Sequence, residues 1–542
     1  MSESCVLNVE NLVLTVGSNR LIDKVSFKIN SAEIFALVGE SGSGKSLTSL
    51  AIMRLLPEAI HIDEGAINLQ QTDLFSQTES EMQRIRGKKV AMIFQEPMTS
   101  LNPVMKVGEQ VAEVLKRHLG LNSHKARNKV VELFEEVGIP EAVDRYDWYP
   151  HQLSGGQKQR VMIAMALACE PDLLIADEPT TALDVTIQAQ VLQLLKDIRT
   201  KRGLSILFIT HDMGVVYEMA DQVAVMKNGQ IIEQADKTTF FTKASKPYTQ
   251  QLLKDAIPKQ ALKEVVATDK LLQLDDLKVH FPIKKGIFQR TVGYVKAVDG
   301  VTLSIDKGQT LALVGESGSG KSTIGQAILK LVHTTEGNVS YMSEQTEVDL
   351  TKLSERKMKP LRKKIQVIFQ DPFSALNPRM TISEIIREGM VSLKVGSQDR
   401  QDQDRRIDDL LVQVGLDIEM KNRYPHEFSG GQRQRIGIAR ALAVEPELII
   451  CDEPTSALDV TVRAQVLALL EDLQQKYQIS YLFITHDLSI IPSIAHKVAV
   501  MQNGKVVEQG TVEEVMHNPQ HEYTKQLLNS APELIRKVML AS

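Results

Sequence analysis

The chain has 542 residues, 43% hydrophobic and 24% charged, a balance that suits soluble globular domains and excludes a disordered or fibrous protein. At about 150 residues per domain, this length allows three or four folding units. With 63 basic and 68 acidic residues the formal net charge is −5, so no overall basic footprint favours nucleic acid as a partner.

The opening MSESCVLNVENL has neither a basic stretch nor an apolar one, so no secretory signal is expected. No uncharged apolar run approaches the roughly 18 residues that a membrane-spanning helix needs. Three scattered cysteines, Cys5, Cys169 and Cys451, give no disulfide framework or zinc pattern. These features predict a reduced, cytosolic chain.

In chain order, Ile34–Val38 is a short apolar run, as expected of a buried parallel strand, and it runs into the glycine-rich stretch GESGSGKS. Charged, helix-rich sequence follows, including Val104–Lys116, and leads to SGGQ at Ser154–Gln157. Leu173–Ala176 reads as a strand ending in the acids Asp177 and Glu178, and Ser205–Ile209 as a strand ending in Thr-His. The same order then returns. GESGSGKS recurs at Gly315–Ser322, 276 residues on, while SGGQ (Ser429–Gln432), DEPT (Asp452–Thr455) and FITHD (Phe483–Asp487) all recur 275 residues on. Thr310–Val314, Leu448–Cys451 and Ser480–Ile484 repeat the strands, and Arg405–Val414 lies in the second helix-rich segment. Two copies of one large domain are expected, spanning residues 1–258 and 271–542 with a linker at 259–270.

GxxxxGKS is the phosphate-loop signature, and its glycines let backbone N–H groups face an anion beside a helix N-terminus. Gly39, Ser41, Gly42, Ser43 and Gly44 would cradle phosphates in the first half, as would Gly315, Ser317, Gly318, Ser319 and Gly320 in the second. Lys45 and Lys321 would neutralise phosphate charge, and the hydroxyls of Ser46 and Ser322 would bind Mg²⁺. A plain glycine turn is the other reading of such a loop, and two copies in strand–loop–helix context weigh against it. Asp177 and Asp452 would hold Mg²⁺ through its water shell, leaving Glu178 and Glu453 to polarise the attacking water. DE pairs more often end a strand in solvent; here both follow apolar strands and precede Pro-Thr. His211 and His486 would contact the γ-phosphate and that water. Gln95 and Gln370, after Ile-Phe, carry amides that could ligate Mg²⁺ and reorient when phosphate leaves. Ser154, Gly155, Gly156 and Gln157, like Ser429, Gly430, Gly431 and Gln432, offer a further anion site at a helix start.

This motif set resembles the tandem ATP-binding subunit of an ATP-binding-cassette (ABC) transporter over nearly the whole chain. The resemblance implies an α/β fold of two P-loop NTPase domains, each a parallel-sheet core with a helical subdomain, that binds ATP and Mg²⁺ and hydrolyses ATP. It implies Walker A loops at Gly39–Ser46 and Gly315–Ser322, D-loops at Thr181–Asp184 and Ser456–Asp459, and two composite ATP sites formed head to tail. IFQEPMTSLNP, IFQDPFSALNP, YPHQLSGGQ, YPHEFSGGQ and the tails KPYTQQLLKDAIP and HEYTKQLLNSAPEL resemble the oligopeptide, dipeptide and nickel importers. Fusion of both halves is similar to the microcin C and oligopeptide importers. That branch implies two transmembrane permease subunits, an extracytoplasmic solute-binding protein, and a place on the cytoplasmic face of the inner membrane through those partners. A tandem cassette protein acting on ribosomes is the alternative, and the short linker argues against it. The family stacks an aromatic ring on adenine; the first half offers only Phe27 and Phe35 before its loop, the second Phe281, Phe288 and Tyr294.

Overall fold

The computed structural model describes all residues except 1–4, 96–99, 181–182, 258–262, 264, 266–267, 286–287, 289, 344–345, 457, 535 and 537–542. The chain divides into two compact units. One comprises Met1–Leu183, Ile187–Ala256 and Pro532–Leu534, the other Asp184–Thr186, Ile257–Ala531 and Ile535–Ser542. Most of the expected linker at 259–270 lies outside the described residues, and Lys270 already begins a strand.

The first unit holds strands β1 (Cys5–Val16), β2 (Asn19–Asn30), β3 (Ile34–Val38), β4 (His61–Leu69) and β5 (Thr72–Asp73). It continues with β6 (Val90–Ile93), β7 (Leu173–Asp177), β8 (Ser205–Thr210), β9 (Gln222–Lys227) and β10 (Gln230–Asp236). Six strands form the core sheet in the order β10-β9-β3-β8-β7-β6. All its neighbours run parallel except the edge pair β9–β10. Every residue of β3, β7 and β8 is buried, which explains why these strands read as unbroken apolar runs.

A second, four-stranded antiparallel sheet, β2-β1-β4-β5, was not anticipated. Its signal is period two: Val25, Phe27 and Ile29 are buried while Ser26 and Lys28 between them are exposed. Phe27 and Phe35 stack on each other at 5.0 Å between ring centroids and are buried, so they belong to the core that joins the two sheets. Helices Val107–Leu119, Ser123–Glu136 and Gly155–Leu167 share a further core through Val111, Leu115, Val130, Phe134 and Val161. This is the expected helical subdomain.

The second unit repeats the plan with β11 (Lys270–Lys285), β12 (Arg290–Asp306), β13 (Thr310–Val314), β14 (Glu336–Ser343) and β15 (Thr346–Asp349). Then come β16 (Ile365–Ile368), β17 (Leu448–Asp452), β18 (Ser480–Thr485), β19 (Lys497–Gln502) and β20 (Lys505–Thr511). Its sheet orders, β12-β11-β14-β15 and β16-β17-β18-β13-β19-β20, match those of the first unit. Its helical subdomain is Ile382–Leu393, Arg400–Gln413 and Gly430–Leu442. A glutamate on the last strand pins each tail. Glu233 accepts the N–H groups of Ser245 and Lys246, and Glu508 those of Gln520 and His521.

The halves differ beneath the phosphate-loop strand. In the first, Asp221 accepts the Ile34 N–H at 2.9 Å and pairs with Arg199 at 2.6 Å. In the second, His496 Nδ1 accepts the Thr310 N–H at 3.0 Å, and Gln474 donates to the Thr310 hydroxyl. Burial, with a smaller push from the Lys263 charge, lowers His496 to about 4. The unfolded histidine takes up its proton near pH 6.5, so stability is full above that pH and falls as pH drops toward 4, by up to about 1.4 kcal/mol per unit. His496→Gln is expected to remove this part of the acid sensitivity. Chemical denaturation at pH 7.5 and 5.0 checks it: the loss on acidification should be about 1–2 kcal/mol smaller in the variant.

Candidate active site

Each phosphate loop leaves a buried strand and turns into a helix, Lys45–Met53 or Lys321–Ile328. The lysines at the helix starts are 5% and 4% exposed, deep enough that their charge has to be met by protein or ligand atoms. Lys45 Nζ donates to the carbonyls of Gly39 and Glu40, both at 2.8 Å. Lys321 donates to those of Gly315 (2.8 Å) and Glu316 (2.7 Å) and to Ser319 Oγ (3.3 Å), while burial lowers its pKa. Ser43 Oγ is buried without a hydrogen-bond partner, a group that an entering anion would satisfy.

The serine that follows each lysine reaches across the sheet. Ser46 Oγ donates to Asp177 Oδ1 at 3.2 Å, and Ser322 Oγ to Asp452 Oδ1 at 2.8 Å. Burial pushes Asp177 up to about 6 against the pull of that hydroxyl, and it raises Asp452 as well. A buried carboxylate with its pKa raised, beside a hydroxyl, suits a divalent cation, whose charge would restore the ionised form. Among the described residues no group of three or more His, Cys, Asp or Glu forms a closed metal cage. A hydroxyl and one carboxylate leave most of a cation's coordination to waters and phosphate oxygens, a donor set that fits Mg²⁺.

The next residue leaves the strand line. Glu178 and Glu453 adopt φ of 47° and 45°, a left-handed conformation uncommon outside glycine and worth about 1–3 kcal/mol of strain. Their N–H groups bond to Ile209 and Ile484 at the end of the neighbouring strand. Each carboxylate is held at both oxygens. Glu178 meets His211 Nδ1 at 3.0 Å and the Gln95 amide at 2.8 Å; Glu453 meets His486 Nδ1 at 3.1 Å and the Gln370 amide at 2.8 Å. Burial pushes Glu453 up, but the hydrogen bond and charge of His486, with Lys321 and Gln370, outweigh it and lower its pKa. For His486 the downward pull of burial is outweighed by Glu453, and its pKa is raised. The histidine–glutamate pairing and the glutamine contact had no counterpart in the sequence reading, which assigned the glutamines to the metal.

Ser154–Gln157 and Ser429–Gln432 open the helices Gly155–Leu167 and Gly430–Leu442. Each serine is exposed and caps its helix, accepting the glutamine N–H while the glutamine side chain accepts the serine N–H. The second glycine of each motif also serves packing: a Cβ at Gly156 would lie 2.7 Å from Ile187 Cγ2, and one at Gly431 2.3 Å from Val462 Cγ1. Of the D-loops, residues 181–182 and 457 lie outside the described residues. For adenine, the first half's Phe27 and Phe35 are committed to the core, whereas Phe281, Phe288 and Tyr294 of the second are exposed on or between β11 and β12.

The family profile described as "ABC transporter" matches residues 22–181 and 298–456. The chain belongs to that family. Its two halves are ATP-binding cassettes, and it is an ATPase. Residues 507–539 match the profile "Oligopeptide/dipeptide transporter, C-terminal region". The chain is 48% identical over 517 residues to the "Peptidoglycan transport ATP-binding protein YejF" of Agrobacterium fabrum, covering 94% of this chain and 92% of that one. It is 47% identical to the "Uncharacterized ABC transporter ATP-binding protein YejF" of Escherichia coli, covering 96% and 99%. It is 46% identical to the "Glutathione import ATP-binding protein GsiA" of Salmonella typhimurium, covering 94% and 86%. None of these relatives supports the ribosomal alternative. Among the described residues no helix is long and apolar enough to cross a membrane.

Proposed function

We propose that this chain is the ATP-hydrolysing subunit of an importer for peptides or peptide-like solutes. It works with two permease subunits that hold it on the cytoplasmic face of the inner membrane, and an extracytoplasmic solute-binding protein delivers the solute to them. The glutamate clamped between histidine and glutamine beside a phosphate-loop lysine, present in both halves, carries the ATPase reading. The tail match and the names of the peptidoglycan and glutathione relatives support the solute class.

In this proposal the loop glycines and Lys45 or Lys321 bind the phosphates, and Ser46 with Asp177, or Ser322 with Asp452, holds Mg²⁺ with help from the carbonyl oxygen of Gln95 or Gln370. The metal ion, when bound, supplies charge that offsets negative charge on the β- and γ-phosphates. Glu178 and Glu453 orient the attacking water and accept its hydrogen bond. His211 and His486 hold those glutamates through Nδ1 and keep Nε2 for the γ-phosphate. Ser154–Gln157 and Ser429–Gln432 complete the sites, as the family resemblance implies.

Reconstitution with its permease pair in liposomes tests the proposal. ATPase activity should rise several-fold when a peptide-loaded binding protein is added, and peptide should accumulate. Transport by this chain alone, or no response to any peptide, would overturn it.

A further inference from the structure

The tail that follows the second cassette reaches into its phosphate loop. Glu508 on β20 anchors the start of helix Glu522–Asn529 by accepting the N–H groups of Gln520 (2.7 Å) and His521 (3.1 Å). His521 Nδ1 in turn accepts the Tyr523 N–H at 3.2 Å. Tyr523 is 6% exposed, in the same buried cluster as Ala312 and Val314 of the strand that feeds the loop. Its hydroxyl accepts the backbone N–H of Glu316, the second residue of the loop, at 3.1 Å.

The peptide unit that carries this N–H, Gly315–Glu316, is gripped at both ends, because the Gly315 carbonyl accepts Lys321 Nζ at 2.8 Å. The Glu316 carbonyl accepts Lys321 Nζ and, at 3.2 Å, the Ser319 N–H. Lys321 has three N–H donors, and all three serve the loop itself, on Gly315, Glu316 and Ser319. A phosphate entering the loop competes for those donors, and the lysine that turns to it releases the carbonyls. The Tyr523 hydroxyl then remains as the side-chain restraint on the peptide.

We propose that Tyr523 is a positioning residue for ATP at the second site, holding the Glu316 peptide while Lys321 turns to phosphate, so that the C-terminal tail is a working part of that site. Its bond counts for more in the nucleotide-bound state than in the empty one, and differential stabilisation of this kind alters affinity. The inference rests on the ATP reading of the loop.

The test uses the full-length chain with Lys45→Ala, which leaves the second site to be read alone. Equilibrium binding of a fluorescent ATP analogue should weaken about five- to tenfold on Tyr523→Phe, the loss of one hydrogen bond. Catalytic rate at saturating ATP should stay unchanged. Affinity within twofold of the parent, with only a lower thermal midpoint, would make Tyr523 a packing residue and overturn the inference. Hydrogen exchange of the Glu316 amide in the unmutated chain gives a second measurement. The amide should stay protected when nucleotide binds, and fast exchange in the bound state would also overturn it. The ATP reading fails separately, if the Lys45→Ala chain binds no nucleotide or if adding Lys321→Ala leaves binding intact.

Discussion

Glutamine in place of Glu178 or Glu453 should cut ATP turnover at its own site by about 10²-fold or more, within the usual range for loss of a positioned general base. The substitution keeps the size of the side chain and can keep a contact to His211 or His486, so the loop and the hydrogen-bonded pair Ser46–Asp177 or Ser322–Asp452 remain. It removes the carboxylate charge that orients water, and it turns one oxygen into an N–H₂ donor, so that a single oxygen is left to accept where two were held by the histidine and the glutamine. Nucleotide affinity should therefore be retained while hydrolysis stops, and the double variant should hold ATP unhydrolysed. Steady-state phosphate release from each single variant, assembled with its membrane partners, checks this. Unchanged turnover in either one would show that the two halves do not contribute alike.

Gly320→Ala is expected to be among the most damaging single methyls in the second cassette. Gly320 has φ of +106°, and a Cβ there would lie 2.0 Å from the Ala297 carbonyl oxygen and 2.8 Å from Met501 Cε. Backbone cannot swing aside as a side-chain tip can, so strain and overpacking together should cost about 3–5 kcal/mol. The first half relieves the same problem more cheaply. A Cβ at Gly44 (φ +107°) meets the tip of Ile22, Cδ1 at 2.4 Å, and Gly44→Ala should cost about 1–3 kcal/mol. Gly318 has φ of +79° and nothing within 4 Å, so Gly318→Ala should cost only about 1 kcal/mol. Denaturant midpoints of the three variants without nucleotide should rank in that order. A Gly320→Ala protein as stable as Gly318→Ala would show that β12 does not press on the loop in this way.

The core sheet was legible because strands buried on both faces read as unbroken apolar runs: Ile34–Val38 stands where the sequence placed it, and the expected Leu173–Ala176 and Ser205–Ile209 run one residue further, to Asp177 and Thr210, as happens in their repeats. The loop lysines and serines were legible at helix starts because a glycine-rich stretch precedes them, and Asp177, Glu178 and His211, with their repeats, because each sits at a strand end where apolar sequence turns polar. The antiparallel sheets were overlooked. Their residues alternate between core and solvent, and in β12 that pattern is diluted by exposed apolar residues such as Val292, Tyr294 and Val295.

Sequence alone thus determined the doubled cassette, the strands that carry the site and the residue types at it, since each of these is written in local order: spacing, periodicity and glycine placement. Tertiary structure decided which partners those residues meet. Ser46 and Asp177 lie 131 residues apart and Gln95 and Glu178 lie 83 apart. They meet because the order β3-β8-β7-β6 lays the strand ends side by side, an order the chain does not follow in sequence. The same holds for the left-handed turn at Glu178 and Glu453, for Asp221 and His496 under the loop strand, and for Tyr523 on Glu316, 207 residues away. Hydrogen-bond partners depend on distances of about 3 Å between atoms, and only the packed sheet brings such distant segments that close.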